Sequence, residues 1–423
     1  MSQLLTRISW IKGSYPASLL QRLNEGTERN GNGSISFTAS DHSELFELLA
    51  HQVSFPADIN YRDASNISYR AFLDLRKEGE VDQKSLMSLI AKRVKVWRSR
   101  PIKSYTMWTK IRLSQMGLTK SSYYKFDGVR LRIVASLPKW LKIDTYFVSG
   151  IGDVYPNLLP NFGYAILSIG ARSENEASEK LFSALDKFYA VVNTSWRFNE
   201  LWVSHRPSGV LLHGPNYFFF EGRKFLGKNQ VWWNQDFDEK EWVSFPRSAQ
   251  DFRLKSDLFR RVLSRLDVHP LRQILERAFV LVSEGMMSSC LSFRLMRFWT
   301  AAEVLYTEES SRTPYDQLID RMIFTEMDEQ ADVERLKLKR ASELRNQYVH
   351  RGITDKEDSA LIQNLRETIL RFAYYILFNG EDFSNHAELL HMLDPSNAPN
   401  RVANRLIAIE RRRLIIETGR HRV

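Results

Sequence analysis

Leu344-Arg345-Asn346-Gln347-Tyr348-Val349-His350-Arg351-Gly352 is the stretch from which the fold reads most directly. Val333, Leu336, Leu344 and Tyr348 lead into it at steps of three, eight and four residues, which predicts a helix with one apolar stripe. Gly352 follows as its cap, because glycine takes the left-handed backbone conformation without penalty. His350 then falls in the last turn. Asn346 and His350, four apart, share a face. Arg345 lies about 140° round from His350 on an ideal helix. One helix therefore aims both groups at a single atom only with a bent arginine or a second copy of the chain.

The flanks are helical too. One helix is expected over roughly 257–285, broken at Pro270, whose ring excludes a continuous ladder. The next carries Leu291, Leu295, Phe298, Trp299, Ala302 and Leu305 at helical spacing. Thr313-Pro314 with Asp316 opens a short helix with proline at its first position. Thr354 with Glu357 forms a capping box for a long helix through Leu361, Leu365, Phe372 and Ile376, which stops at Asn379-Gly380. A last helix from about Pro399 carries Val402, Leu406 and Ile409 beside Arg401, Arg405, Arg411, Arg412 and Arg413. It reads as a docking helix with a solvated basic face, or as a track for a polyanion.

Ahead of this helical region the period changes to two. Val129-Arg130-Leu131-Arg132-Ile133 alternates apolar and basic residues, the mark of a half-buried strand. Further strands are expected at Tyr105–Leu113, Ile143–Val148, Tyr164–Ile169, Glu200–His205, Val210–His213 and Tyr217–Phe220. Ser173 with Glu176 is a capping box for a helix through Ala177, Leu181, Leu185, Phe188 and Val192. Nearer the start, Glu25 to Gly33 reads as a polar loop, Ser34–Thr38 as a short strand, Asp41 with Glu44 as a helix start, and 81–98 as a second helix. Tryptophans 232, 233 and 242 sit among charges and read as a segment docking at a domain junction. The fold class is α+β: a mixed region over 1–250, with one or two lobes, then an all-α bundle over 251–423.

With 423 residues, 43% hydrophobic and 26% charged, the chain is ordinary globular material, large enough for a substantial core. Its 60 Lys and Arg exceed 50 Asp and Glu, and the net charge of +10 favours a polyanionic partner. Cys290 is alone, which excludes an internal disulfide and a Cys-rich zinc module; its apolar surroundings predict a buried thiol. No 18-residue apolar span and no signal-peptide core occur, so no membrane and a cytoplasmic location are expected. The histidines lack metal-ligand spacing, with His386 and His391 expected at the surface. No glycine-rich phosphate loop, nucleophile elbow or paired-carboxylate motif occurs, and no metal or cofactor is expected.

Phe298-Trp299-Thr300-Ala301-Ala302-Glu303-Val304-Leu305, then Leu344 to Gly352, then the long helix after it, resemble the HEPN superfamily and its ApeA-like branch. The likeness covers roughly 257–380, about a third of the chain. It implies a helical bundle that pairs with a second copy, with the Arg-x4–6-His motifs of both copies meeting in a cleft that cuts RNA without metal. Carried over, Arg345 and His350 are the catalytic pair, Asn346 the polar neighbour, and Glu303 the acid of the preceding helix. Tyr348 is core or cleft lining, and Arg351, Arg405 and Arg412 are candidate RNA contacts. The residue types suit this chemistry. Imidazole exchanges protons near neutral pH, a contribution of about 10²–10⁴-fold, and guanidinium holds phosphate oxygens as charge builds on them. The expected products are a 2′,3′-cyclic phosphate and a 5′-hydroxyl. The resemblance also implies an anti-phage, abortive-infection setting in which the N-terminal region answers an unknown trigger and restrains the toxic homodimer. A non-catalytic HEPN-like dimer that binds RNA or nucleotides is the rival reading, and a structural subunit with Arg345 and His350 as plain surface residues is another.

Overall fold

The computed structural model describes residues 8–38, 42–114, 122–141, 162–196, 213–226, 232–233, 249–288, 290–308, 313–324, 328–351, 359–379 and 383–394. The chain is mixed α/β with a helical C-terminal portion. Among the described residues no helix is long and apolar enough to cross a membrane.

The first hundred residues hold β1 (Ser9–Trp10), α1 (Pro16–Glu25), β2 (Thr27–Arg29), β3 (Ile35–Phe37), α2 (His42–Gln52), β4 (Val53–Ser54), α3 (Tyr61–Arg76) and α4 (Gln83–Arg98). They close around a core of their own that includes Leu23, Leu49, Phe72, Ile90 and Trp97. The polar piece from Glu25 to Gly33 is not a loop throughout. Thr27–Arg29 pairs antiparallel with Ile35–Phe37, and the glycines serve the turn, Gly33 at φ 78°. The helix expected over 81–98 is α4, capped by the Asp82 carboxylate, which accepts from Lys84 N and Ser85 N. Helices α1 and α3 were not foreseen. The inner face of α3 mixes Ala64, Ile67, Ala71 and Phe72 with buried Asp63 and Ser68, which blurs its apolar period.

Next come β5 (Lys103–Ser114), β6 (Ser122–Phe126), β7 (Val129–Val134), β8 (Phe162–Ala171), α5 (Glu174–Trp196), β9 (His213–Glu221), β10 (Lys224–Phe225) and β11 (Trp232–Trp233). They form a sheet in the order β10-β9-β5-β8-β7-β6, with β11 also on β9 and every pairing antiparallel. The strands expected at 105–113, 129–133, 164–169 and 217–220 are β5, β7, β8 and part of β9. Those at 143–148 and 200–205 lie outside the described residues, as does Val210–His213 apart from His213, which opens β9. Strand β6 has no counterpart among the strands expected from the sequence. Asp127 (φ 47°) and Gly128 (φ 86°) turn it into β7, a two-residue hairpin whose positive φ values suit the twist of the strands.

The capping box of α5 forms: Glu176 N donates to Ser173 Oγ at 3.0 Å, and Arg172 N donates to Glu176 Oε2 at 2.8 Å. One side of α5 covers the sheet and the other meets the C-terminal helices, so one continuous core runs from Met107, Leu131 and Leu167 through Leu185 and Phe188 to Phe279 and Leu295.

The C-terminal helices are α6 (Ala249–Val268), α7 (Arg272–Met287), α8 (Leu291–Tyr306), α9 (Tyr315–Met322), α10 (Asp328–Arg351), α11 (Ser359–Asn379) and α12 (His386–Leu393). The break at Pro270 separates α6 from α7. His269 just before it is buried: its Nδ1 accepts from Leu271 N at 3.0 Å, while Nε2 lies 3.1 Å from Ile376 O. Pro314 stands at the cap of α9 rather than at its first helical position. Cys290 is exposed at the N-cap of α8, not buried, because the chain turns there before the apolar face begins. His386 is half-buried with Nε2 2.9 Å from Leu305 O, against its expected place at the surface; His391 is exposed. The capping box at Thr354 and the helix from Pro399, with Arg401, Arg405, Arg411, Arg412 and Arg413, lie outside the described residues.

Candidate functional site at the end of a C-terminal helix

Three contacts set the position of α8, which carries Glu303. Gly285 of α7 sits so close to α8 that a Cβ there would lie 2.5 Å from the Phe298 ring. Trp299 is almost wholly buried, which contributes about 1.5–3 kcal/mol as for any large apolar side chain. Arg294, also buried, donates from Nε to Ser288 O at 2.6 Å.

Helix α10 is fixed from two sides. Glu334 is buried and accepts from Thr368 Oγ1 at 2.9 Å and from Asn364 Nδ2, both on α11. Arg335 pairs with Asp320 of α9, and Lys339 lies 3.7 Å from Asp316. The buried stripe of α10 is Ala331, Glu334, Leu338, Ala341, Ser342 and Leu344. The stripe read from sequence through Val333 and Leu336 is a misassignment: both are exposed, at 54% and 68%. The buried side of α10 meets α8, α9 and α11, and Glu334 within it hydrogen-bonds to α11. Tyr348 is half-buried.

At its far end α10 brings four of the expected features into two neighbouring places. Arg345 extends toward α8 and α9. Its Nη1 donates to Tyr315 Oη at 2.8 Å and to Asn346 Oδ1 at 3.1 Å, and its Nη2 lies 3.7 Å from Glu303 Oε1. Glu303 Oε1 also accepts from Trp299 Nε1 at 3.1 Å. The guanidinium carbon lies 5.8 Å from the centroid of the Tyr315 ring, and that ring lies 5.9 Å from Trp299. Arg345, Asn346 and Glu303 therefore form one cluster, with Tyr315 as a member the sequence reading missed. Nothing local marks Tyr315; it enters only through the angle of α9 against α10.

The Arg345 side chain keeps 21% of its surface in water and Glu303 keeps 33%, so the cluster is a rim that solvent reaches. Arg345 Nε is the exception, buried without a hydrogen bond, and a buried donor left unspent in a folded protein calls for an explanation. His350 sits one helical turn and more beyond, exposed, and outside this cluster. The side chain of Arg351 and the residues Gly352, Arg405 and Arg412 lie outside what is described. Among the described residues no three of His, Cys, Asp and Glu gather as a metal would need.

Comparison of the chain with family models, with curated proteins and with solved structures finds no match.

Proposed function

We propose that the chain is a metal-independent endoribonuclease of the HEPN type, with Arg345 and His350 completing a site across a homodimer. The observation that carries this reading is the state of Arg345: held by Glu303, Tyr315 and Asn346, yet open to water on a rim. Arginine fixed in this way is ready to bind phosphate oxygens without first losing side-chain freedom. His350, exposed on the same helix, is free to meet a substrate. The two point about 140° apart on an ideal helix, so the imidazole that serves one arginine comes from the second copy.

In the reaction the ribose 2′-hydroxyl attacks its own phosphorus. At each of the two sites one His350 takes the 2′ proton and gives one to the leaving 5′-oxygen, and Arg345 of the other copy meets the charge that builds on the phosphate. Purified chain incubated with total RNA, with and without EDTA, tests this by the ends produced. 2′,3′-cyclic phosphate and 5′-hydroxyl ends in both cases are expected; no cleavage, or loss of it with EDTA, overturns the proposal. The dimer has its own test. Arg345→Ala and His350→Ala chains, each inactive alone, should recover part of the activity when mixed, because one of the two sites in a mixed dimer is intact.

The rival reading, a HEPN-like module that binds RNA or nucleotides without cutting, is favoured by the Arg345–Glu303 pair itself, since part of the arginine's charge is already spent. Intact RNA retained by the wild-type dimer, and released by Arg345→Ala, would select it. A defence role, with the N-terminal region restraining the enzyme until a trigger binds, belongs to the same proposal. The first hundred residues own a separate core and meet α5 at a polar joint of Asp63, Ser173 and Asn175, which suits a movable restraint. Asp63→Ala should then raise cleavage in the absence of any trigger; an unchanged rate argues against restraint through that joint.

A further inference from the structure

The outer face of the sheet, turned away from α5, is laid out by the strand register. One row across it reads Tyr123, Arg132, Ile166, Trp108 and Phe218; the next reads Lys125, Arg130, Ser168, Thr106, Phe220 and Phe225. The aromatic end of both rows is packed, with Trp108 stacked on Phe218 at 4.1 Å and Phe220 buried. The β6–β7 end is open. Tyr123 is 68% exposed, Lys125 and Arg130 are exposed, and the Arg132 guanidinium lies 5.4 Å from the centre of the Tyr123 ring.

Lys125 stands directly opposite Arg130. Like charges at such a pair work against the sheet. No acidic residue shares this face among the described positions of the paired strands; Asp127, at the turn, pairs with Lys187 and Arg272 on the α5 side. A lysine on an edge strand also deters stray pairing of edges, which accounts for Lys125. It does not account for Arg130, which lies on an inner strand with β6 on one side and β8 on the other.

We infer that this end of the sheet binds single-stranded RNA, with Lys125 and Arg130 on successive phosphates and Tyr123, backed by Arg132, stacked on a base. Opposed strands about 4.8 Å apart set the two cations at a spacing a flexible phosphodiester chain accommodates. A ring standing clear of the surface beside them adds the one contact that a simple polyanion does not use. The choice of RNA over DNA rests on the proposed cleavage; the register, the paired cations and the exposed ring do not depend on it.

The test is fluorescence anisotropy with the full chain and a labelled 2′-O-methyl oligouridylate, which keeps the RNA sugar pucker and cannot be cut. Binding is therefore read whether or not the chain is a nuclease. Lys125→Gln with Arg130→Gln should weaken binding about tenfold and reduce the slope of log affinity against log salt by about 1.4, two phosphates at about 0.7 each. Tyr123→Ala should weaken it about fivefold or more and leave the slope unchanged. The equal charge change at Lys92→Gln with Lys95→Gln, on α4, should do nothing. The proposal is overturned if the wild-type chain does not bind, if the α4 pair costs as much as the sheet pair, or if Tyr123→Ala is neutral. Tighter binding of oligodeoxythymidylate through the same residues would overturn RNA as the partner. Tyr123→Ala removes an exposed ring and is the arm least exposed to misfolding.

Discussion

Arg345 and Arg130 are both arginines on ordered elements with charge open to water, and their surroundings differ in kind. Arg345 has its guanidinium tied by a tyrosine hydroxyl, an asparagine and a glutamate. Arg130 faces a lysine and has no carboxylate across from it. A charge that the protein itself positions has given up its freedom beforehand, which suits a step where geometry sets the rate. A charge opposed by its neighbour is strained until an anion arrives, which suits reversible binding. On the two proposals above, Arg345 would serve the cleavage step and Arg130 the holding of the same polyanion.

The largest expected effect breaks or keeps the first half of that contrast. His350→Ala should lower RNA cleavage by at least about 10²-fold while leaving the melting temperature unchanged, because the ring is exposed. Single-turnover cleavage together with thermal melting checks both; equal cleavage by the variant removes the catalytic reading.

Tyr315→Phe sharpens it. The ring and its contact with Trp299 stay, and only the hydroxyl that accepts from Arg345 goes. A fall in cleavage of about three- to tenfold is expected from one lost hydrogen bond near 1 kcal/mol. No fall would mean that Arg345 does not depend on this anchor.

The stabilities should move in opposite directions. Arg345→Ala should cost about 1 kcal/mol, a modest figure because the ion pair is partly exposed and screened. Arg130→Gln should cost nothing or add a few tenths of a kcal/mol, since a like-charge pair disappears. Urea titration of both variants reads the difference, and a destabilised Arg130→Gln would contradict the account of the sheet edge.

A comparably small effect belongs to a tied arginine with no proposed chemistry. Arg98 donates from Nε and Nη2 to both oxygens of Asp58, at 3.0 and 2.6 Å, and this hydrogen bond holds the Asp58 carboxyl below its ordinary range. Because the folded value is the lower one, the pair stabilises above the ordinary carboxylate range and the gain is lost as pH falls through the lowered value. Asp58→Asn should therefore cost a few tenths of a kcal/mol near pH 7 and progressively less as pH falls below the ordinary carboxylate range. Melting across that range checks the sign.

Much of the secondary structure was legible because its causes are local. The Ser173–Glu176 cap, the break at Pro270, the alternation at Val129–Ile133 and the end of α11 at Asn379 each rest on forces acting within about four residues. The errors share a cause as well. Val333 and Leu336 look like core by type, and Cys290 like a buried thiol. Burial depends on which face the neighbours cover, and α8, α9 and α11 leave Val333 and Leu336 on the outer side of α10.

Residue types and spacing by themselves determined that a helix would carry Arg345, Asn346 and His350, that a strand would carry Arg130 and Arg132, and that the chain as a whole would be basic. Tertiary structure alone decided that Arg345 reaches Glu303 and Tyr315, 42 and 30 positions earlier by their numbering, and that Arg130 stands beside Ser168 of β8. Helix angles and strand register are set by the shape of the whole core, and no window of a few residues contains that information.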